Sequence, residues 1–312
     1  MSDLFQESPA KSGGLRRPDF FIVGAPKCGT TALCRYLARN PEIYMCPLKE
    51  PHFFGADIAT SVSVQDKDEY LALFAGIHDE KRVGEASVWY LYSKRAAAEI
   101  KEFSPAASII VMLRNPVDVM HALHSQLLYI GREEIEDFEA ALDAESDRKR
   151  GLRIPRAATL KDHFFYRECV GFTEQIRRYV DVFGRENVRI LIFDDFIADT
   201  AQVYRDTCKF LGVTAPANIR FEVINANKRV RSKRLRALVD DPPLTLRKLG
   251  KPFTPRGLRH SALNRLRQLN TKYEPRRPMT PELRRRLQAE ALPEVERLSN
   301  FLGRDLTSWC LS

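Results

Sequence analysis

An apolar strand that runs directly into Gly-x-x-x-x-Gly and then into a helix is compatible with few folds. Residues 20–31 have this form: Phe20-Phe21-Ile22-Val23-Gly24-Ala25-Pro26-Lys27-Cys28-Gly29-Thr30-Thr31. The helical period continues through Ala32, Leu33, Tyr36 and Leu37. Parallel sheets use this connection to present backbone N–H groups and a helix N-terminus to a phosphate. A triphosphate-binding loop would carry Lys and then Ser or Thr after its second glycine. Here Gly29 is followed by Thr30-Thr31, and the lysine stands inside the loop at Lys27. The anion cradle is kept, whereas the lysine and Mg²⁺ ligand of a triphosphate site are not. The expected ligand is phosphate-like, but not the γ-phosphate of a metal-bound triphosphate.

Strand and helix signals alternate along the rest of the chain, which predicts a parallel sheet covered on both faces. Asp19 to Val23, Ser108 to Leu113 and Val188 to Phe193 read as buried strands, and Glu42-Ile43-Tyr44 as a short one. Helices are expected over 30–39, 93–103, 117–129, 135–147, 170–183 and 200–211. A last helix begins at Thr280-Pro281, an N-cap followed by proline at the first helical position. Pro293 is expected to kink it. Residues 241–255 hold four prolines and read as irregular.

With 312 residues and no composition break, the expected organisation is a flexible tail over 1–17 and one domain over 18–312. No run approaches the roughly 20 apolar residues needed to span a bilayer. The N-terminus lacks an apolar signal-peptide core. The six cysteines are scattered without a C-x-x-C pair, which predicts reduced thiols and a cytoplasmic location. No cluster of His, Cys and carboxylates has metal-ligand spacing, so no metal is expected. The net charge of +9 is uneven: residues 228–286 hold 19 Lys and Arg against four acids. That block predicts an anionic partner. No nucleic-acid-binding motif accompanies it, so nucleic acid is not expected, and the sequence carries no signal of oligomeric state.

Three features have the order of a nucleotide-sulfate site: the loop at Lys27, then Lys49-Glu50-Pro51-His52-Phe53-Phe54, then Leu113-Arg114-Asn115-Pro116 at a strand end. Ligands of open α/β sheets bind at the carboxyl ends of strands, where Lys27, Glu50 and Arg114 are expected to converge. With Gly84-Glu85-Ala86-Ser87 and the closing Leu302-Gly303-Arg304-Asp305-Leu306, these segments resemble the sulfotransferases that use 3′-phosphoadenosine 5′-phosphosulfate (PAPS). The bacterial and heparan-sulfate-type branch is the nearest. The resemblance runs from about Phe20 to the end. It implies an α/β, P-loop-like three-layer sandwich: a central, mostly parallel sheet flanked by helices, with an elaborated basic C-terminal part.

For function, the resemblance implies sulfuryl transfer from PAPS to an acceptor hydroxyl by in-line displacement. The backbone of Cys28, Gly29, Thr30, Thr31 and Ala32, with both threonine hydroxyls, would hold the 5′-phosphosulfate. Lys27 would stabilise the leaving oxygen, Glu50 would serve as general base with His52 as its rival, and Arg114 would bind the 3′-phosphate. Glu85 and Ser87 resemble a stretch that lines the acceptor pocket, with Ala86 where a lysine often stands. The family's serine eight residues after the arginine is here Ala122. Ser125 and the basic run at 228–236 are candidates to complete the 3′-phosphate site. The acceptor is expected to be a glycan, a glycolipid or a small metabolite, with an amine as the alternative to a hydroxyl. A non-catalytic nucleotide- or glycan-binding protein of the same fold, and a P-loop kinase, are the competing readings.

Overall fold

The computed structural model describes residues 16–222, 228–230, 271–273, 276 and 278–311. In chain order its elements begin β1 (Phe20–Gly24), α1 (Thr30–Leu37), β2 (Ile43–Met45), α2 (Lys67–Ala72), β3 (Arg82–Ala86), α3 (Ala96–Phe103) and β4 (Ser108–Leu113). Then come α4 (Pro116–Ile130), α5 (Phe138–Asp143), α6 (Glu145–Lys149), α7 (Tyr166–Cys169), α8 (Phe172–Phe183), β5 (Val188–Ile192), α9 (Phe193–Ala198) and α10 (Thr200–Leu211). The described chain closes with β6 (Lys228–Val230), β7 (Thr271–Tyr273) and α11 (Pro281–Leu302). These residues group into two compact units. One runs to Leu113 and resumes over Glu174–Phe221; the other holds Arg114–Thr173 and resumes at Glu222.

The first unit is built on a five-stranded sheet in the order β2-β3-β1-β4-β5, with every pairing parallel. Every residue of β1 and of β4 is buried, as continuous apolar runs in a sheet covered on both faces require. Gly84 sets the approach of the inner strands. A Cβ there would lie 2.1 Å from Phe20 Cζ and 2.6 Å from Met45 Sδ. Arg82 ties the amino ends of three strands together, donating to Asp19 Oδ1 at 2.6 Å and to Ser108 Oγ at 3.0 Å. β3 is the strand that apolar patterning does not announce, since Arg82-Val83-Gly84-Glu85-Ala86 carries two charges and a glycine. The helix expected from Ser93 starts at Ala96, with Arg95 as its N-cap; Ser93 stands before it, and its Oγ accepts the Ala96 N–H at 2.9 Å.

In the second unit, Asn115 caps α4 by accepting the Val117 N–H at 3.0 Å, and Pro116 occupies the first helical position. The helix expected over 135–147 is instead α5 and α6. Asp137 caps the first at Ala140 N (2.8 Å), and the chain restarts at Glu145. Glu133 and Arg148 form a bidentate pair at 2.8 and 2.9 Å with both side chains fully buried, and Tyr166 donates to the same carboxylate at 2.7 Å. The remaining lone pairs are thus partly satisfied, as a desolvated ion pair needs. Thr280 caps α11 as expected, Leu283, Leu287, Ala291, Val295 and Leu298 form its buried stripe, and the helix continues through Pro293 to Leu302. β6 and β7 pair antiparallel. The expected irregular segment 241–255 and most of 228–236 lie outside the described residues. No described helix is long and apolar enough to cross a membrane.

Gly84→Ala should destabilise the protein by about 1–3 kcal/mol or more through overpacking against Phe20. Chemical denaturation of the two proteins reads this directly; an unchanged midpoint would mean that β1 and β3 do not approach as described.

Candidate functional site

The loop between β1 and α1 begins with the Ala25 N–H donating to Met112 O of β4 at 2.8 Å. Lys27 (φ 66°) and Gly29 (φ 92°) take left-handed backbone conformations. At Gly29 a Cβ would meet the Phe193 ring at 3.0 Å, so glycine answers both the backbone angle and the space. Gly29 is also the N-cap of α1, with no side chain accepting the first N–H groups and no acid in the first turn. An uncapped, acid-free helix start is electropositive and open to an anion. Thr30 is buried, Lys27 and Thr31 are half-buried, and the Cys28 side chain is fully buried, leaving its backbone as the part able to serve a ligand.

Glu50 and His52 lie at the carboxyl end of β3, the strand beside β1. The Glu50 N–H donates to Ala86 O at 2.9 Å, and the His52 N–H to Ser87 Oγ at 3.1 Å. Both residues have positive φ, 65° and 50°, a conformation that the surrounding bonds must hold. The Phe54 N–H donates to Tyr90 O–H at 3.2 Å, and Phe53 stacks on Tyr70 with ring centroids 4.1 Å apart. The segment is therefore fixed at successive points by β3 and the turn after it. Glu50 pairs with Lys49 through Oε1, and its Oε2 lies 3.5 Å from His52 Nε2. Burial pushes the Glu50 carboxyl up, but His52 and Lys49 more than offset this and lower it to about 2. Glu50 is thus an ionised, weakly basic carboxylate bound to an imidazole.

Within the second unit, Arg114 follows directly on β4 and pairs with Asp118 at 3.3 Å. Asp118 also accepts from Arg284 at 3.1 Å. Arg276 adds a third guanidinium close enough to Arg114 for mutual repulsion; burial and then that repulsion lower its proton affinity. The Arg276 Nε is buried without a hydrogen-bond partner among the described residues. Burial, with Arg276 next, holds His121 down at about 4. Three arginines around one aspartate leave an excess of positive charge. Ala122 is 1% exposed. The Ser125 hydroxyl donates to His121 O at 3.0 Å, a bond within its own helix that orients its hydrogen away from a ligand.

The sulfotransferase domain profile matches residues 17–241. The chain belongs to the sulfotransferase domain family. Its fold resembles the crystal structure of a sulfotransferase from Alicyclobacillus acidocaldarius, with a TM-score of 0.69 and 32% identity over 94% of this chain and 99% of that one. Carbohydrate sulfotransferase 15 of Mus musculus is 26% identical over 248 residues, which is 63% of this chain and 44% of the relative. Heparan sulfate glucosamine 3-O-sulfotransferase 6 of Homo sapiens is 32% identical over 111 residues, 35% of this chain and 31% of the relative. The chain spans less than half the length of these curated relatives.

In this sulfotransferase fold the sequence-predicted Lys27 loop and Glu50–His52 segment occupy the ends of two paired strands, while Arg114 is placed within the second unit. Sequence reasoning missed Arg276 and Arg284, which lie some 160 residues beyond Arg114 in a block where basic residues are common. Glu85 and Ser87, expected along an acceptor pocket, are both fully buried. Glu85 Oε2 accepts from Tyr90 at 2.9 Å and from Tyr70 at 3.2 Å, so this carboxylate supports the Phe53-Phe54 segment from behind. Burial raises the Glu85 carboxyl from its ordinary 4.5 to about 7, and the hydroxyls of Ser87, Tyr90 and Tyr70 offset only part of that.

A raised carboxyl means that the folded state holds its proton more tightly than the unfolded state. The associated stability is complete below about pH 4.5 and is lost as pH rises towards 7, a change of about 3 kcal/mol. Glu85→Gln removes this dependence. Thermal melts should therefore show the melting temperature of the variant, relative to wild type, increasing between pH 5 and pH 8. A difference independent of pH would remove Glu85 from the groups that titrate in this range.

Proposed function

We propose that this chain transfers the sulfuryl group of PAPS to an acceptor hydroxyl, with the Lys27 loop holding the 5′-phosphosulfate and the Glu50–His52 pair taking the acceptor's proton. One observation supports this above the others: the uncapped start of α1 and the Glu50–His52 pair lie at the carboxyl ends of β1 and β3, which pair directly (Phe21 with Glu85, Ile22 with Ala86). Ligands of open α/β sheets are met at that edge.

The chemistry follows from the groups present. Backbone N–H groups at the start of α1, with the Thr30 and Thr31 hydroxyls, suit phosphosulfate oxygens. Negative charge grows on the oxygen bridging phosphorus and sulfur as its bond to sulfur breaks. Lys27 placed there stabilises the transition state more than the ground state. The hydroxyl oxygen attacks sulfur opposite that bond, and its proton passes to the Glu50–His52 pair. General-base assistance of this kind is typically worth about 10²–10⁴ in rate. Arg114 and Arg276 suit the 3′-phosphate that distinguishes PAPS from ATP. In this reading Arg276 takes over from the serine that Ala122 replaces.

3′-Phosphoadenosine 5′-phosphate (PAP) should raise the melting temperature without Mg²⁺, and a preference for ATP–Mg²⁺ would overturn the donor assignment. Lys27→Ala should slow PAPS consumption in a cell extract that supplies acceptors by about 10²–10³ while leaving the melting temperature near that of wild type. Arg276→Ala should weaken PAP binding at least tenfold, the scale of one lost charged hydrogen bond of about 1.5–3 kcal/mol. Unchanged PAP affinity in Arg276→Ala would return the 3′-phosphate to Arg114 alone.

A further inference from the structure

The closing segment Leu302-Gly303-Arg304-Asp305-Leu306, part of the sequence resemblance, takes no part in the proposed chemistry. Within the second unit it turns the chain back on itself. Gly303 ends α11 in the left-handed conformation (φ 64°), and the Arg304 N–H donates to Ser299 O at 3.0 Å. The Leu306 N–H then donates to Ser299 Oγ at 3.0 Å, and the Leu306 side chain is buried. Asp305 Oδ1 accepts from the N–H and the hydroxyl of Thr307, at 2.8 and 2.7 Å, and so starts the short 3₁₀ turn Thr307–Trp309. The Trp309 side chain that closes the turn is buried.

The turn delivers one carbonyl to the start of α4. Trp309 O accepts from Asn115 Nδ2 at 2.8 Å and from Nε2 of the buried Gln288 of α11 at 3.4 Å. Asn115 uses its other terminal atom, Oδ1, to accept the Val117 N–H at 3.0 Å and cap α4. Val117 presents a hydrogen and Trp309 a lone pair, so the amide has a single orientation here. Serine or aspartate would cap the helix equally well. Only a side chain that ends in an acceptor and a donor serves both partners. Asn115 directly follows Arg114. One turn along α4, Asp118 receives Arg114 at 3.3 Å and Arg284 of α11 at 3.1 Å. Arg284 and Gln288 are four residues apart and share a face of α11. The C-terminal elements of this unit thus hold the start of α4 at two points, residues 115 and 118.

We propose that Asn115 is a positioning residue: its bond to Trp309 fixes the backbone from which Arg114 reaches a 3′-phosphate, and the closing turn thereby takes part in donor selection. This rests on the proposed assignment of the 3′-phosphate to Arg114. A guanidinium meets a phosphate through a planar fork of N–H groups, and that geometry is only as exact as the backbone at its root. Anchoring the neighbouring residue orders the arginine before the ligand arrives, which reduces the ordering entropy that binding must overcome. The anchor acts on the 3′-phosphate end of the donor and leaves the loop at the start of α1 untouched. Its signature is therefore a change in selectivity rather than a general loss of nucleotide binding.

The test is titration calorimetry of the full chain with PAP and with adenosine 5′-phosphate (AMP), which lacks the 3′-phosphate. Asn115→Ser keeps a cap for α4, adds no charge and is too short to reach Trp309. It should weaken PAP binding about three- to tenfold, the scale of one lost hydrogen bond, and leave AMP affinity unchanged. Trp309→Ala, which unseats the turn, should lower the same PAP-to-AMP ratio, and the double variant should lose no more than the larger single loss. The ratio is read within each protein, so a lower melting temperature of Trp309→Ala does not disturb it. An unchanged ratio, whether both affinities fall or neither does, or losses that add in the double variant, would overturn the proposal. A wild type that holds AMP as tightly as PAP would instead remove Arg114 from the 3′-phosphate. The ¹⁵N relaxation of Arg114 Nε–H without ligand then decides the positioning role. Order that is present in wild type and lost in Asn115→Ser supports it, and order that persists in the variant overturns it.

Discussion

The close pairing of β1 with β3 is the constraint on which the site depends. Phe20 occupies the space a side chain at position 84 would need, so the inner strands can approach only because Gly84 has none. That approach aligns Phe21 with Glu85 and Ile22 with Ala86, and thereby sets the loop after β1 beside the segment that hangs from the end of β3. Met112 of β4 fixes the loop from the other side through Ala25. The loop geometry is thus a consequence of buried strand packing. Its glycine at position 29 meets both a positive φ and the Phe193 ring, two demands that a larger residue would fail together.

The legible part of this architecture was the part written in apolar runs. β1 is a continuous apolar run, β4 is one after its first residue, Ser108, and β5 is one broken by Arg189, while the loop with its internal lysine has a spacing that few chains share. β3 was visible only as a motif because it carries Arg82 and Glu85, whose partners lie outside the strand: Asp19 and Ser108 for the first, Tyr70 and Tyr90 for the second. Local patterning cannot report a charge that tertiary contacts satisfy. The same reason hid Arg276. Nothing near it in sequence marks it among the surrounding arginines, and its buried Nε is a property of the folded unit. The helix expected from residue 135 starts later because Asp137 is its N-cap, and a capping residue reads as one more helical position until its acceptor role is seen.

Two carboxylates within one neighbourhood behave oppositely, and the environment accounts for the difference. Glu50 is one-third exposed, bonded to Lys49 and His52, and lowered to about 2. Glu85 has no exposed surface, no cation paired with it among the described residues, and a carboxyl raised to about 7. A pair of titratable groups driven apart in this way separates roles. Glu50 can steer and stabilise positive charge on an imidazole at any physiological pH, but on its own it holds an abstracted proton poorly. His52 meets the first of them through Nε2, 3.5 Å from Glu50 Oε2. The sequence order Glu-Pro-His places the two site residues two apart, and the left-handed turns at both let backbone N–H groups reach β3 while the side chains meet each other. The burial of β3, the same packing that Gly84 permits, is what gives Glu85 a proton affinity near neutrality.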